Sequence, residues 1–301
     1  MGEQPIVSVI IPTYGDPVFL NRAVQSVLAQ TLADWELIIV DDNNPNTKAR
    51  QSTEDIMANY ALDARIHYVQ HNHNKNGAAA RNTAIAQAKG KYYSFLDSDD
   101  EYFPKRLEKC VDAMESTGPE VGGVYTGCRF VRGGKHLREI ANIQSGNFLV
   151  ETLACTFMFC TGSNIFMRGE VVKTLQFDEK FIRHQDYEFL VRFFENYSLI
   201  AIPEVLVLKN NENINLPNVK KSEEVKKMYL GKYKSIIESQ ITEQQKYIYR
   251  SNYISLANLA AMAGQFSLSK QYWQQAKTFG KIPVKAQIKV QLLKLRYLLQ
   301  K

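Results

Sequence analysis

The chain of 301 residues contains no run of 18 consecutive apolar residues, so no membrane-spanning helix is expected. Its start, Met1-Gly2-Glu3-Gln4-Pro5, lacks the charged start, apolar middle and small-residue cleavage site of a secretory signal, which predicts a cytoplasmic protein. Cysteine is scarce. The four residues, at 110, 128, 155 and 160, form no C-x-x-C pair and no histidine tract accompanies them, so they read as free thiols in a reducing compartment, not as metal ligands. No G-x-G-x-x-G turn follows the first apolar run, which excludes the dinucleotide-binding fingerprint and the dehydrogenases that carry it. The segment after that run, Pro12-Thr13-Tyr14-Gly15-Asp16, is also not the glycine-rich basic loop with which a nucleotidyltransferase would cradle a triphosphate.

What is present is ample core material, 45% hydrophobic residues with 16 Tyr and 15 Phe, and an uneven charge. Residues 205–301 carry 17 Lys and Arg against 5 Asp and Glu, whereas residues 1–204 carry 20 against 26. An acidic body is followed by a basic tail.

The body alternates strand and helix patterns. Ile6 to Ile11 is a β-branched run ended by Pro12, as expected of a strand buried on both faces. Asp16-Pro17 reads as a cap and first helical turn before Leu20, Ala23, Val24, Val27 and Leu28 at helical spacing. Strands are predicted at Glu36 to Val40, Ile66 to Val69 and Tyr92 to Leu96, with helices near Thr47 to Tyr60 and Gly77 to Ala88 between them. This order predicts an α/β fold, a mostly parallel sheet with helices on both faces and ligands beyond the carboxyl ends of the strands. Further strands are expected near Val121 to Val131 and Leu199 to Ile202, and a helix from Asp186 to Asn196. Lys209 to Pro217 reads as a polar linker. Helices follow at Ser222 to Glu238, Glu243 to Ala263, Ser267 to Thr278 and Val284 to Leu299.

Three polar clusters, Pro12-Thr13-Tyr14, Asp41-Asp42 and Asp97 to Asp100, follow strands and should meet along one sheet edge. Asp97-Ser98-Asp99-Asp100 offers carboxylates spaced by one residue, which can face a hard cation such as Mg²⁺ or Mn²⁺, or can simply cap the next helix. Asp41-Asp42 could accept from a base or ribose, or serve an Asx turn before Pro45. Arg81, in the helix opening at Gly77, could join that helix N-terminus in holding a diphosphate, or lie on a solvated face. A further group, His184-Gln185-Asp186-Tyr187-Glu188, starts an amphipathic helix. A carboxylate there suits either a general base or a cap.

P-T-Y, V-D-D-N, G-A-A-A-R-N, F-L-D-S-D-D and H-Q-D-Y-E-F-L, in this order over residues 6 to 205, together resemble the family 2 glycosyltransferases, inverting enzymes of the GT-A fold. The resemblance implies a GT-A domain over residues 1–208, a Rossmann-like nucleotide-diphospho-sugar transferase fold, with a basic helical region at 209–301. It implies that Pro12, Thr13, Tyr14 and Asp42 line a nucleoside pocket, read as uracil-binding, and that Arg81 approaches base or diphosphate. Asp97, Ser98 and Asp99 would bind ribose, metal and diphosphate, with Asp99 and Asp97 as ligands of Mn²⁺ or Mg²⁺. Asp186 matches the catalytic base, and Gly162, Ser163 and Asn164 fall where a loop lies under the donor sugar. The family's usual E-D pair is Gln185-Asp186 here, which opens the role of the first carboxylate, with His184 beside it. The implied partners are a UDP-sugar donor and a hydroxyl acceptor on a glycan or lipid-linked oligosaccharide.

Ile288, Leu292, Leu295 and Leu299, flanked by Lys285, Lys289, Lys294 and Arg296, could lie on an anionic membrane or pack on a neighbouring helix. No nucleic-acid-binding motif accompanies the basic tail, and nucleic acid is not an expected partner. The alternatives are a non-catalytic nucleotide-sugar-binding scaffold, against which the joint presence of Asp99 and Asp186 speaks, and a sugar nucleotidyltransferase, against which the lack of a glycine-rich basic loop after the first strand speaks.

Overall fold

The structure, a computed structural model, describes residues 4–141, 143–159, 162–211 and 217–299. Cys160, the first three residues and positions 212–216 of the expected linker lie outside them. In chain order the elements are β1 (Val7–Thr13), α1 (Leu20–Leu28), β2 (Trp35–Asp41), α2 (Lys48–Ala58), β3 (Ile66–Gln70), α3 (Gly77–Gln87), β4 (Tyr92–Phe95), β5 (Glu101–Tyr102) and α4 (Arg106–Glu115). They continue as β6 (Val121–Arg132), β7 (Lys135–Ile140), α5 (Leu149–Leu153), β8 (Phe166–Arg168), α6 (Gly169–Leu175), α7 (Gln185–Phe194) and β9 (Ser198–Asn210). Helices complete the chain: α8 (Val219–Lys232), α9 (Lys234–Glu238), α10 (Thr242–Met262), α11 (Phe266–Thr278) and α12 (Val284–Leu299).

Of the described residues, those within 1–147 and 159–212 form one compact unit, and those within 148–158 and 213–301 form the other. The sequence reading put a single boundary at 208. It gave no sign that 148–158, with the short α5, leaves the sheet unit for the helical one.

In the first unit one sheet runs β3-β2-β1-β4-β8-β6-β9-β5, with β7 paired to β6. Strands β1 to β4 are parallel to one another, as the alternating pattern predicts. β8 then joins antiparallel to both β4 and β6. Val7, Val9 and Ile11 of β1 pack with Leu20, Ala23, Val24 and Val27 of α1, while Ser8 and Ile10 are equally buried on the other face. Burial on both faces is why β1 reads as a continuous apolar run. Register pairs Thr13 with Asp41 and Ile10 with Phe95, so the loops after β1, β2 and β4 emerge along one edge.

Several local expectations are corrected. Asp16 does not cap α1: Leu20 N donates to the Pro17 carbonyl at 3.0 Å, and this turn delays the helix to Leu20, whose cap position is Phe19. The expected helix from Ser222 to Glu238 is two, α8 and α9, separated at Tyr233. The strand expected to end at Ile202 continues to Asn210. Its pairing skips from Ile202 opposite Thr126 to Val205 opposite Gly127, so Pro203 and Glu204 form a bulge. Proline is tolerated in such a bulge because no ladder hydrogen bond is asked of it.

The helical unit has its own small core of Val219, Leu256, Ala257, Ala260 and Tyr272. Among the described residues no helix is long and apolar enough to cross a membrane. Cys110 is a buried free thiol, Cys128 is buried, and Cys155 is free and half-buried. Burial pushes the Cys110 thiol up to about 11, so it is inert as a nucleophile.

Candidate active site

The loops after β1 and β2 are tied together. Asp42 N donates to the Thr13 carbonyl at 2.9 Å, and Gly15 N to Asn43 Oδ1 at 2.8 Å. Thr13 is buried, Pro12 half-buried and Tyr14 64% exposed, so Tyr14 offers an open ring at this edge. Asp41 is internal, accepting from Tyr68 Oη at 2.6 Å and pairing with Arg50 at 3.1 Å.

Asp42 differs from its expected role. It is 2% exposed, and its carboxylate accepts from His71 Nδ1 at 2.7 Å, Asn74 Nδ2 at 2.7 Å, and the backbone N–H groups of Lys75 at 2.8 Å and Asn76 at 2.9 Å. A carboxylate so engaged organises the 71–76 loop rather than presenting free lone pairs. That loop sets Asn76, whose Oδ1 caps α3 by accepting from Ala78 N at 2.8 Å and Ala79 N at 3.2 Å. These donors are therefore already satisfied, and the expected anion site at the start of α3 reduces to Arg81.

Arg81 is buried, which removes the solvated-face reading. Its Nη2 donates to Asp97 Oδ1 at 2.8 Å and its Nη1 to Gln185 Oε1 at 3.0 Å. One guanidinium thus joins the turn after β4 to the start of α7. The fork of donors makes this possible where a lysine would offer a single point. Gln185 also donates from Nε2 to the Phe181 carbonyl at 2.8 Å, so the amide at this position bridges two loops. His184 precedes α7 in the left-handed conformation at φ 61°, its ring 5.9 Å from that of Tyr187.

Asp97, Asp99 and Asp100 form an acidic cluster whose ligand atoms lie within 4.8 Å of one another, and half-buried Ser98 completes the turn. Lys209 faces all three. Its Nζ is 3.2 Å from Asp100 Oδ2, 3.7 Å from Asp99 Oδ1 and 3.8 Å from Asp97 Oδ2. The placement follows from topology. β5 runs antiparallel to β9 with Glu101 opposite Leu208, which sets Lys209 beside Asp100. Asn210 adds bonds from Nδ2 to the Asp99 carbonyl at 2.8 Å and from N to Asp100 Oδ1 at 3.2 Å.

Sequence reasoning missed Lys209, Asn210 and the role of Asp100. The signal was the apolar run Val205 to Leu208 continuing the strand beyond Pro203. Burial raises the Asp99 carboxyl above its ordinary range, with Lys209 opposing. It pushes Asp100 up to about 7, again with Lys209 opposing. Lys209 itself is raised: burial alone would lower it, but Asp100, Asp97 and Asp99 outweigh that.

Ser163 pins two parts of this turn. It accepts from Asp97 N at 2.9 Å and donates to Asp100 Oδ2 at 2.5 Å. Asn164, expected beneath a donor sugar, is instead fully buried. Its amide accepts from Thr126 N at 2.9 Å and Arg106 Nη1 at 3.2 Å, and donates to the carbonyls of Thr126 at 2.7 Å and Phe159 at 3.1 Å. It is a strut for the 162–164 turn. Gly162 lies against Asp186: a Cβ there would be 3.1 Å from Asp186 Oδ1.

Asp186 stands in the first turn of α7, and its Oδ1 is buried with no hydrogen-bond partner among the described residues. Burial raises its pKa above the ordinary value, Arg81 and Lys209 lower it, and Asp97 adds to the rise. An unsatisfied buried carboxylate oxygen is costly, and such groups concentrate at functional sites.

The cluster passes a chemical test for a hard divalent ion. The donors of Asp97, Asp99 and Asp100 are all carboxylate oxygens, and a cation, the Lys209 ammonium, already rests among them. Burial favours the neutral forms of Asp99, Asp100 and Asp186, and a cation held among them would offset that by favouring the carboxylates.

The Glycosyl transferase family 2 model matches residues 8–176. An uncharacterised glycosyltransferase of Methanocaldococcus jannaschii is 32% identical over 210 residues, which is 69% of this chain and 71% of that protein. The UDP-Glc:alpha-D-GlcNAc-diphosphoundecaprenol beta-1,3-glucosyltransferase WfgD of Escherichia coli is 35% identical over 112 residues, 37% of this chain and 42% of that enzyme. This chain thus spans less than half of that relative's length. In fold it is similar to S. aureus TarS 1–349 solved in complex with UDP-GlcNAc, with a TM-score of 0.59, 14% identity, and coverage of 91% of this chain and 90% of that one. With the motifs in order and the sheet of the expected architecture, the chain belongs to glycosyl transferase family 2 and is a glycosyltransferase.

Proposed function

We propose that this enzyme is a metal-dependent, inverting transferase that moves a sugar from a UDP-sugar to a hydroxyl of a growing or lipid-linked glycan, in peripheral contact with the inner face of a cell membrane. The observation that carries the reading is the Asp186 carboxyl, whose buried Oδ1 is unsatisfied in the field of Arg81, Asp97 and Lys209. An acceptor hydroxyl would supply the missing donor and, in reacting, give up its proton there. The raised pKa of Asp186 makes it a stronger base than an exposed carboxylate, which suits proton removal near neutrality.

The acceptor oxygen bonds to the anomeric carbon from the face opposite the diphosphate as the carbon–diphosphate bond breaks, so an α-linked donor gives a β-linked product. Arg81, fixed between Asp97 and Gln185, sets positive charge toward the departing diphosphate. Asp97 and Asp99 would hold Mn²⁺ or Mg²⁺, which when bound supplies Lewis-acid neutralisation of that leaving group. Tyr14 offers its exposed ring to the nucleoside beside Pro12 and Thr13, while Asp42 shapes the pocket through the loop it organises. Ser98 is read as a ribose contact, Gly162 and Ser163 as the floor beside the donor sugar, and His184 as an acceptor-side group. The choice of UDP rests on the nucleotide in the TarS complex and on the name of WfgD, whose lipid-diphosphate acceptor also motivates the acceptor class.

The test is a screen of nucleotide sugars with Mn²⁺ for thermal stabilisation and hydrolysis. A UDP-sugar response that Asp99→Ala abolishes supports the reading. No thermal shift with any nucleotide and any divalent ion overturns it.

A further inference from the structure

We infer that the outward side of α12 is a docking surface for anionic phospholipid. This helix is apolar on two sides. On the first, Val290 is buried and Leu293 and Tyr297 are half-buried. The Tyr297 ring lies 5.6 Å from Phe266 of α11 and fills the space a Cβ on Gly264 would need. That side meets the helix's need for a packed stripe. The second side consists of Val284, Ile288, Leu292, Leu295 and Leu299, separated by four, four, three and four residues, which places all five on one arc. It is exposed, from 53% at Leu295 to 77% at Leu299. The expectation that these leucines pack on a neighbouring helix is therefore corrected. Val290, Leu293 and Tyr297 do so, and the stripe faces out. A contiguous row of large aliphatic side chains in water marks an interaction surface.

Charge identifies the occupant. From residue 244 to residue 301 the chain has ten lysines and arginines and no aspartate or glutamate. By helical position Lys285, Lys289 and Arg296 border one edge of the stripe and Lys294 the other, and none of the four forms an ion pair among the described residues. A second copy docked through this same face would set these cations against their equivalents with no acid to answer them. A nucleic acid would answer the cations but leave five aliphatic side chains in water. An anionic bilayer answers both, because headgroup phosphates take the cations while the acyl boundary takes the aliphatic stripe. Half-buried Trp273 of α11 borders the same groove as Ile288, Leu292 and Leu295, and tryptophan favours that interface. With no described helix able to span a bilayer, α12 lies along the surface. This deepens the membrane contact in the proposed function, and its test does not depend on the donor chemistry.

The experiment is flotation of the full chain with phosphatidylglycerol/phosphatidylcholine vesicles and with pure phosphatidylcholine vesicles, at low and high salt. Binding is expected to the anionic vesicles alone and to weaken with salt. The double variant Leu292→Glu/Leu295→Glu should lower the partition coefficient by about tenfold or more, and Lys285→Gln/Lys289→Gln/Arg296→Gln should lower it about tenfold and flatten the salt dependence. Trp273 should report binding by a blue shift, since the other tryptophan, Trp35, is buried. Unchanged circular dichroism and unchanged donor hydrolysis in solution show that the variants remain folded. The inference is overturned if anionic vesicles do not bind the chain at low salt, or if the leucine variant binds like the wild type. It is equally overturned by a leucine-dependent dimer without vesicle binding, which would give the face to a second copy.

Discussion

Gly162 stands where any side chain would crowd the Asp186 carboxylate, a Cβ there lying 3.1 Å from Oδ1 and 3.2 Å from Oδ2. Position 162 thus walls the space beside the Asp186 carboxylate, where the proposed function brings the acceptor hydroxyl. A Gly162→Ala substitution meets a contact shorter than ordinary van der Waals separation, and α7 anchors the carboxylate from behind. The carboxylate must shift by a few tenths of an ångström. Displacement of a reacting group on this scale is expected to lower kcat about 10- to 100-fold with donor affinity little changed. Steady-state kinetics with saturating donor checks this, and a wild-type kcat would show that Asp186 is not the group that must be so placed.

Asp186→Asn separates activity from stability. The amide keeps the shape of the side chain but cannot take a proton, so kcat is expected to fall about 10²–10⁴-fold while nucleotide binding by calorimetry is preserved. Burial disfavours the charged form of Asp186, so the neutral amide should also melt at the same temperature or higher. A loss of activity accompanied by a lower melting temperature would instead mark Asp186 as a structural cap.

The raised pKa of Asp186 fixes the sign of a pH effect. In the folded protein this carboxyl holds its proton to higher pH than in the unfolded chain. Its contribution to stability is therefore fully present below the unfolded value near 4 and is lost as pH rises through the folded value. Measured as the difference between wild type and Asp186→Asn, the relative melting temperature of the wild type should fall as pH rises from about 4 towards neutrality. In kcat/KM the same group should give an acid limb displaced above pH 4, on which activity rises as the base deprotonates. A wild-type acid limb at or below the ordinary aspartate value contradicts the assignment.

The parallel half of the sheet and its edge of loops could be read from the sequence because β1 and β2 are buried on both faces and end in sharply polar clusters. The placement of Asp97, Asp99, Arg81 and Asp186 along that edge is legible for the same reason: each follows a strand end or opens a helix. The position of Asp42 at that edge is legible but its hydrogen bonding is not, because its four partners come from a loop whose path no local pattern specifies. Lys209 was not legible. Pro203 reads as the end of a strand, yet the bulge at Pro203 and Glu204 absorbs it, and the strand runs on to deliver a lysine more than a hundred residues from its carboxylate partners. Asn164 was misread as a substrate contact because nothing local distinguishes a solvent-facing amide from one whose polar atoms all bond to the protein.

Lys209 offers the sharpest check on the cation chemistry of the cluster. Its ammonium stands within 3.8 Å of Asp97, Asp99 and Asp100, so it screens three like charges from one another. In Lys209→Met those carboxylates lose that counter-charge. Breaking a buried pair costs about 3–5 kcal/mol, and exposure of Asp99 together with protonation of Asp100 should reduce this to about 1–3 kcal/mol in the metal-free protein. On the proposed function, Mn²⁺ would bind only where the carboxylates are assembled and negative, so it would stabilise the folded form by mass action, and more strongly when no lysine competes for the same oxygens. The expected outcome is a lower melting temperature without metal and a larger Mn²⁺-induced rise in Lys209→Met than in the wild type, read by calorimetry without any substrate. An equal or smaller rise would mean that Lys209 and the divalent ion do not share these ligands.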